Sequence, residues 1–290
     1  MTAKDASLRG IRWMLLSMFL FACLDAGIKM LAGDFTAQQI LAVRFAVFLA
    51  LVVVLVGRSR VVTVLRSRKP GLQVARVLVL LAEMAVFVVA VRLLPLGDVH
   101  AVAASTPLIV TALAQPLLGE KVGPRRWAAV GVGMVGLLVV IRPGLTASWA
   151  MLVPLGGAVL WAAYQILVRA VSRSDSTDTT LVYTALGGLL VTGALAPFGW
   201  VAPDGREWAL LGVVALLGAG AHVALIRALD YAPASVVQPF AYSLVVWAVI
   251  LGFAVFGDVP DRWTILGSLV IVGSGLYVWH REHRVRSRPA

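Results

Sequence analysis

Long apolar runs separated by short polar breaks pattern this chain. Residues 45–56 and 127–141 carry no charge at all, and similar runs recur along the sequence. A helix needs about 20 mostly apolar residues to cross a bilayer. On that measure the pattern predicts ten helices, near 10–32, 38–57, 73–93, 99–118, 125–142, 149–169, 179–199, 207–228, 234–256 and 262–280. The breaks leave no room for a sizeable soluble domain. The longest are 57–72, 170–179 and 199–206, and Pro143-Gly144 interrupts the chain near its middle.

The same motifs occur twice. Leu118-Gly-Glu120 is followed by Arg126-Trp127 and Gly131; Phe256-Gly-Asp258 is followed by Arg262-Trp263 and Gly267. Earlier in each copy an aromatic precedes a cation by eight residues, Phe21 and Lys29, then Trp161 and Arg169. This divides the chain into a first unit, 10–143, a second unit, 149–280, and a short basic tail, 281–290. Each unit holds five spans. Five is odd, so the second copy enters the membrane inverted. The expected fold is an all-α polytopic membrane protein, ten transmembrane helices in an inverted five-plus-five repeat. Such repeats build secondary transporters, with a site near the midplane where the halves meet.

Composition agrees. The 290 residues are 60% hydrophobic and 13% charged, against about 45–50% and about 25% in soluble domains; mean hydropathy is +0.93. The formal charge of +11 suggests nucleic acid until its placement is considered. Arg92, Arg142, Arg206 and Arg262 fall on one side of the predicted membrane, and Lys29, Arg44 and Arg76 fall inside spans. The other eighteen of the 25 Lys and Arg fall on the opposite side. Cytoplasmic loops carry such an excess, so both termini are expected in the cytoplasm and no nucleic-acid partner is expected. The single cysteine, Cys23, excludes an intrachain disulfide. The first apolar run continues through Asp25 and Lys29 without a small-residue cleavage site and reads as a retained helix.

Charges inside a span are costly and point to function or to a partner. Asp25 and Lys29, at i and i+4, can pair with each other. Glu83 has no basic residue at i±3 or i±4 and suits a proton carrier or a polar anchor; a neutral acid bonded between helices is the structural alternative. His222 lies among Gly218, Gly220 and Ala221. Asp25, Glu83 and His222 are the proton-coupling candidates. Arg44 reads as a side chain reaching back to the outer interface.

Aromatic walls with a few polar groups suit a small organic ligand. Trp161, Tyr164 and Gln165 share one face of the sixth helix, and Gln238, Tyr242 and Trp247 come close to one stripe of the ninth. With Glu83, Phe87 and His222 these are the candidate substrate-binding residues. The fourth helix offers His100, Ser105, Thr106 and Gln115. Most other tryptophans sit at helix ends, as an interfacial belt requires. Pro107, Pro116, Pro154 and Pro239 can loosen helices. The glycines of the fifth and tenth helices favour close packing.

No phosphate-binding G-x-x-x-x-G-K-[ST], H-E-x-x-H, G-x-S-x-G or C-x-x-C is present, and the four histidines make no plausible metal set. No catalytic residue, cofactor or metal is expected.

Arg92-Leu-Leu-Pro95-Leu-Gly-Asp98, Ser105-Thr-Pro107, Leu118-Gly-Glu120-Lys-Val122 and Arg142-Pro143-Gly144 resemble the EamA-type members of the drug/metabolite transporter superfamily. The pattern covers nearly the whole chain. The second copy departs from it with Asp258 where Glu is usual and with Pro260. The resemblance implies a bacterial inner-membrane carrier whose cavity is bounded mainly by helices 1, 3, 4, 6, 8 and 9, with helices 5 and 10 outside it. It is similar to the branches that export aromatic amino acids and to those that carry S-adenosylmethionine. The expected function is export of small metabolites, chiefly amino acids, by alternating access in a monomer. Import of S-adenosylmethionine or another cation is the alternative, and an intramembrane enzyme acting on a lipid carrier is a distant third. Direction and proton coupling stay open.

Overall fold

A computed structural model of the chain describes residues 3–57, 64–106, 108–110, 112–113, 124–141, 149–171, 174–231 and 240–286. These residues form ten α-helices and no strand. They are α1 (Ala3–Leu31), α2 (Ala37–Val56), α3 (Pro70–Leu93), α4 (Leu96–Ala103), α5 (Pro124–Ile141), α6 (Leu152–Val171), α7 (Thr177–Leu195), α8 (Gly205–Tyr231), α9 (Ser243–Phe256) and α10 (Arg262–Arg286). Six are long and apolar enough to cross a membrane: α1, α2, α3, α6, α7 and α8. Shorter apolar stretches run over Leu96–Val110, Trp127–Ile141 and Ser243–Phe256.

Most ends follow the local chemistry. Pro95 caps α4, and its fixed φ starts that helix earlier than hydropathy places it. Pro154 falls in the first turn of α6, where a missing N–H costs no helical bond. Ser176 caps α7 and accepts from the Thr179 N–H. The tenth helix does not stop at His280 but continues to Arg286, because nothing before Pro289 breaks it. Pro107, Gln115, Pro116, Glu120, Pro143, Gly144, Gln238 and Pro239 lie outside the described residues.

The helices pair across the two copies rather than within them. α1 packs most extensively on α8, α5 on α10, α3 on α6 and α2 on α7; α1 also meets α9, and α4 meets α6 and α9. Exchanging the first five helices for the second five maps this pattern onto itself. α1–α8 becomes α6–α3, and α2–α7, α4–α9 and α5–α10 return unchanged.

Lipid is as apolar as leucine, so helices associate by close packing and hydrogen bonds. The α5–α10 crossing shows this. A methyl group on Gly267 would sit 2.6 Å from the Gly136 carbonyl oxygen, and one on Gly136 would sit 2.9 Å from that of Gly267. The central core joins Leu24, Ile28, Ile40, Leu96, Leu211 and Ile271, drawn from five helices with α10 among them. Val54, Leu190, Phe253 and Leu269 are left largely exposed, a surface that soluble monomers avoid and that hydrocarbon accommodates.

Candidate functional site

α1, α2, α3 and α8 bring four polar residues towards one place. Asp25 and Glu83 are both within electrostatic reach of the Arg44 guanidinium, and Arg44 in turn acts on His222. Arg44, Glu83 and His222 are walled by protein, yet each keeps some accessible surface. None of the three is fully closed off by its neighbours. Among the described residues neither Arg44 nor Glu83 forms a hydrogen bond or an ion pair, so the two side chains are near without bonding to each other.

Aromatic rings enclose these groups. The His222 ring lies 5.1 Å from Phe21 and 5.7 Å from Phe48, centre to centre. Its Nδ1 is 2.8 Å from the Gly218 carbonyl oxygen, which fixes the ring. The Arg44 guanidinium lies against α8 at Gly218, where a methyl would be 3.5 Å from Nη2, an ordinary contact. Phe87 packs 5.8 Å from His100. His100 Nε2 stands 3.1 Å from Asp25 Oδ2, within ion-pair range but not aligned as a hydrogen bond.

Asp25 and Lys29 do not pair, although their spacing suggests it. Lys29 Nζ instead reaches Asp258 at 2.5 Å and lies 4.6 Å from the Phe256 ring centre. Helical spacing brings i and i+4 near each other, but here partners on other helices compete for both. Phe256 and Asp258 belong to the second copy's Phe-Gly-Asp motif, which is the signal that locates this contact.

The remaining candidates divide. Trp161 and Tyr164 stack at 5.0 Å, and Tyr164 lies within electrostatic reach of Glu83. The Tyr164 hydroxyl also accepts from Arg76 Nη1 at 3.3 Å. Arg76 is fully buried and donates as well to Gln73 Oε1, the Thr180 carbonyl and Thr184 Oγ1 at 3.2, 3.0 and 2.8 Å. It ties α3 to α6 and α7. Gln165 is half-buried. Tyr242 turns its hydroxyl onto Gly275 of α10. Trp247 packs on Phe19 at 5.1 Å, with its Nε1 buried and without a partner among the described residues. Gln238 lies outside the described residues.

Arg44 and Phe48 also place the second helix at this site, which the resemblance does not anticipate. An arginine within two turns of a helix start reads equally well as reaching for the interface.

The chain matches the EamA-like transporter family twice, over residues 8–142 and 148–279. It belongs to that family. It is 28% identical to a riboflavin transporter of Vibrio cholerae over 99% of both chains. It is 26% identical to an S-adenosylmethionine uptake transporter of Rickettsia felis, over 99% of this chain and 97% of that one. Identity to the pseudopaline exporter CntI of Pseudomonas aeruginosa is 29%, over 91% and 93%. A solved crystal structure shares the fold, with a TM-score of 0.66 at 21% identity, over 99% of this chain and 100% of its own. The chain is a multi-pass protein of the bacterial inner membrane and a transporter of small molecules.

Proposed function

We propose that this chain is a secondary transporter of amphipathic metabolites carrying an amino-acid head group, and that it exports amino acids, aromatic ones included. Its ten helices cross the membrane as two inverted copies with both ends in the cytoplasm, and one chain suffices for the path. The observation that supports this reading best is the cluster of Arg44, Asp25 and Glu83 inside the bundle. Arg44 lies within electrostatic reach of Asp25, Glu83 and His222, and the His222 ring packs against Phe21 and Phe48. An ammonium and a carboxylate on one small molecule complement that arrangement.

Alternating access follows the helix pairing. α1, α8 and α9 would move as one body and α6, α3 and α4 as the other, with α2–α7 and α5–α10 as the joints. Each body then mixes the two copies, in place of one copy rocking against the other. Glu83 is the proton-site candidate in this scheme, with Asp25 and His222 beside it.

Import of S-adenosylmethionine is the second reading. Two carboxylates against one guanidinium favour a substrate with an extra positive charge, and the Rickettsia relative is named for that uptake. Counterflow in proteoliposomes separates the two. Vesicles preloaded with phenylalanine, threonine, methionine or S-adenosylmethionine are given the labelled compound outside. Accumulation of amino acids, unaffected by S-adenosylmethionine, supports the first reading; accumulation of S-adenosylmethionine alone overturns it in favour of the second. Glu83→Gln should flatten the pH dependence of transport. A variant that keeps the wild-type rate at every pH removes the proton role.

A further inference from the structure

Resting on the transport reading above, we infer that Arg44 is the residue that binds the substrate's carboxylate, and that substrates of this chain must carry one. Two arginines on neighbouring helices differ in how their donors are used. Arg76 has no exposed surface and donates to four acceptors on α3, α6 and α7. That is how an arginine looks when its task is to hold helices together. Arg44 is also enclosed by protein but donates to none of the described residues, and it keeps accessible surface.

Its setting is built rather than accidental. Ile40, Leu41 and Phe45 beside it are buried in the core, so the turn that carries it is fixed. Gly218 of α8 gives the guanidinium a surface to lie against, 3.5 Å from where a methyl would stand. Leaving a guanidinium unmatched among apolar helices is costly; with no acceptor among the described residues, its donors suit water or a ligand.

A guanidinium presents a planar fork that takes a carboxylate through two parallel hydrogen bonds. Asp25 and Glu83 lie near enough to act on Arg44, yet no carboxylate oxygen of either bridges to it. Among the described residues nothing occupies the fork, which suits a carboxylate from outside the chain. The same two acids select its charge. Where these acids are ionised, they would repel a phosphate with two negative charges and draw the ammonium of a zwitterion. Phe21 and Phe48, next to His222, then face the side chain of the substrate. A neutral flavin could offer Arg44 only uncharged acceptors, a weaker match than a carboxylate.

The test compares phenylalanine with phenethylamine, the same molecule without its carboxylate. Labelled phenylalanine counterflow is measured for wild type, Arg44→Gln and Arg44→Lys in proteoliposomes, with phenethylamine as the competitor. Thermal stability and monodispersity in detergent are checked for each. Arg44→Gln should raise the KM for phenylalanine about 10- to 100-fold, the range of a charged hydrogen bond, and leave inhibition by phenethylamine unchanged. Arg44→Lys keeps the charge without the fork; it should fall between, and it carries the test if the glutamine variant does not fold. Equal weakening of both compounds would make Arg44 a structural residue and overturn the inference. Wild type that carries riboflavin but no carboxylate-bearing compound would also overturn it while leaving transport intact. Folded wild type that carries none of these probes would remove the amino-acid reading and the inference together.

Discussion

Two arginines, Arg44 and Arg76, both lie within the first turns of apolar helices and are opposite in what they do with their donors. Arg76 gives four hydrogen bonds and so couples three helices. Arg76→Met should lower the stability of the detergent-solubilised protein by roughly 1.5–3 kcal/mol, the worth of hydrogen bonds to a charged group, as measured by denaturant titration. The network continues out of the membrane to Asp175. Burial alone would push that carboxyl up, but donation from Ser67, from Gln73 at 2.9 Å and from the Arg68 N–H at 2.8 Å outweighs it and holds Asp175 below the usual carboxylate range. The sign follows from linkage: a depressed carboxyl stabilises the fold above its unfolded value, near pH ~4, and that contribution fades as pH falls through the folded value. Asp175→Asn should therefore melt below wild type at neutral pH, with the two curves converging in acid. A constant gap at all pH values would mean that charge on Asp175 is not what stabilises the loop.

Helices were the most legible part of this sequence, because a run of apolar residues sets its own length. Their partners were not. The Asp25–Lys29 spacing is correct for a helix, yet Lys29 binds Asp258 and Asp25 faces His100. Local geometry cannot rank a neighbour four residues away against one on another helix. The repeated Arg-Trp-x3-Gly motif carries a similar lesson. A methyl on Gly267 would strike the Gly136 carbonyl, whereas one on Gly131, its counterpart, would have no described atom within 4 Å. Equal spacing did not mean equal packing. At Gly267 the obstacle is backbone, which cannot step aside. Gly267→Leu should cost about 1–3 kcal/mol as an overpacked contact, and Gly131→Leu almost nothing, when the two are compared by thermal melting. The polar site was legible in part: Glu83, Asp25 and His222 stood out as charges or imidazoles inside spans. Arg44 did not, because its distance from the helix start fits the interface as well as the interior.

The molecule as a whole is two copies that depend on each other. α1–α8, α3–α6, α2–α7 and α5–α10 all join one copy to the other, so neither five-helix unit has its inner surface covered by itself. If the chain is divided between residues 142 and 148, each half expressed alone should fail to give a monodisperse species in detergent. The two halves expressed together should restore one, with transport returning alongside it. Recovery of a stable, monodisperse first half by itself would contradict the crosswise packing.

That packing also sets the order in which the protein can be made. Ser17, in the first helix, donates to the Ala221 carbonyl oxygen, 204 residues further along the chain. Lys29 waits still longer for Asp258, 229 residues away. While the ribosome is translating the first half, these side chains, with Arg76, have entered the bilayer and have no partner from the second half to meet. The insertion machinery must shelter several polar residues from lipid at once and release the early helices only when the later ones arrive. A nascent chain stalled before α8 should therefore remain bound to that machinery, and the completed chain should leave it.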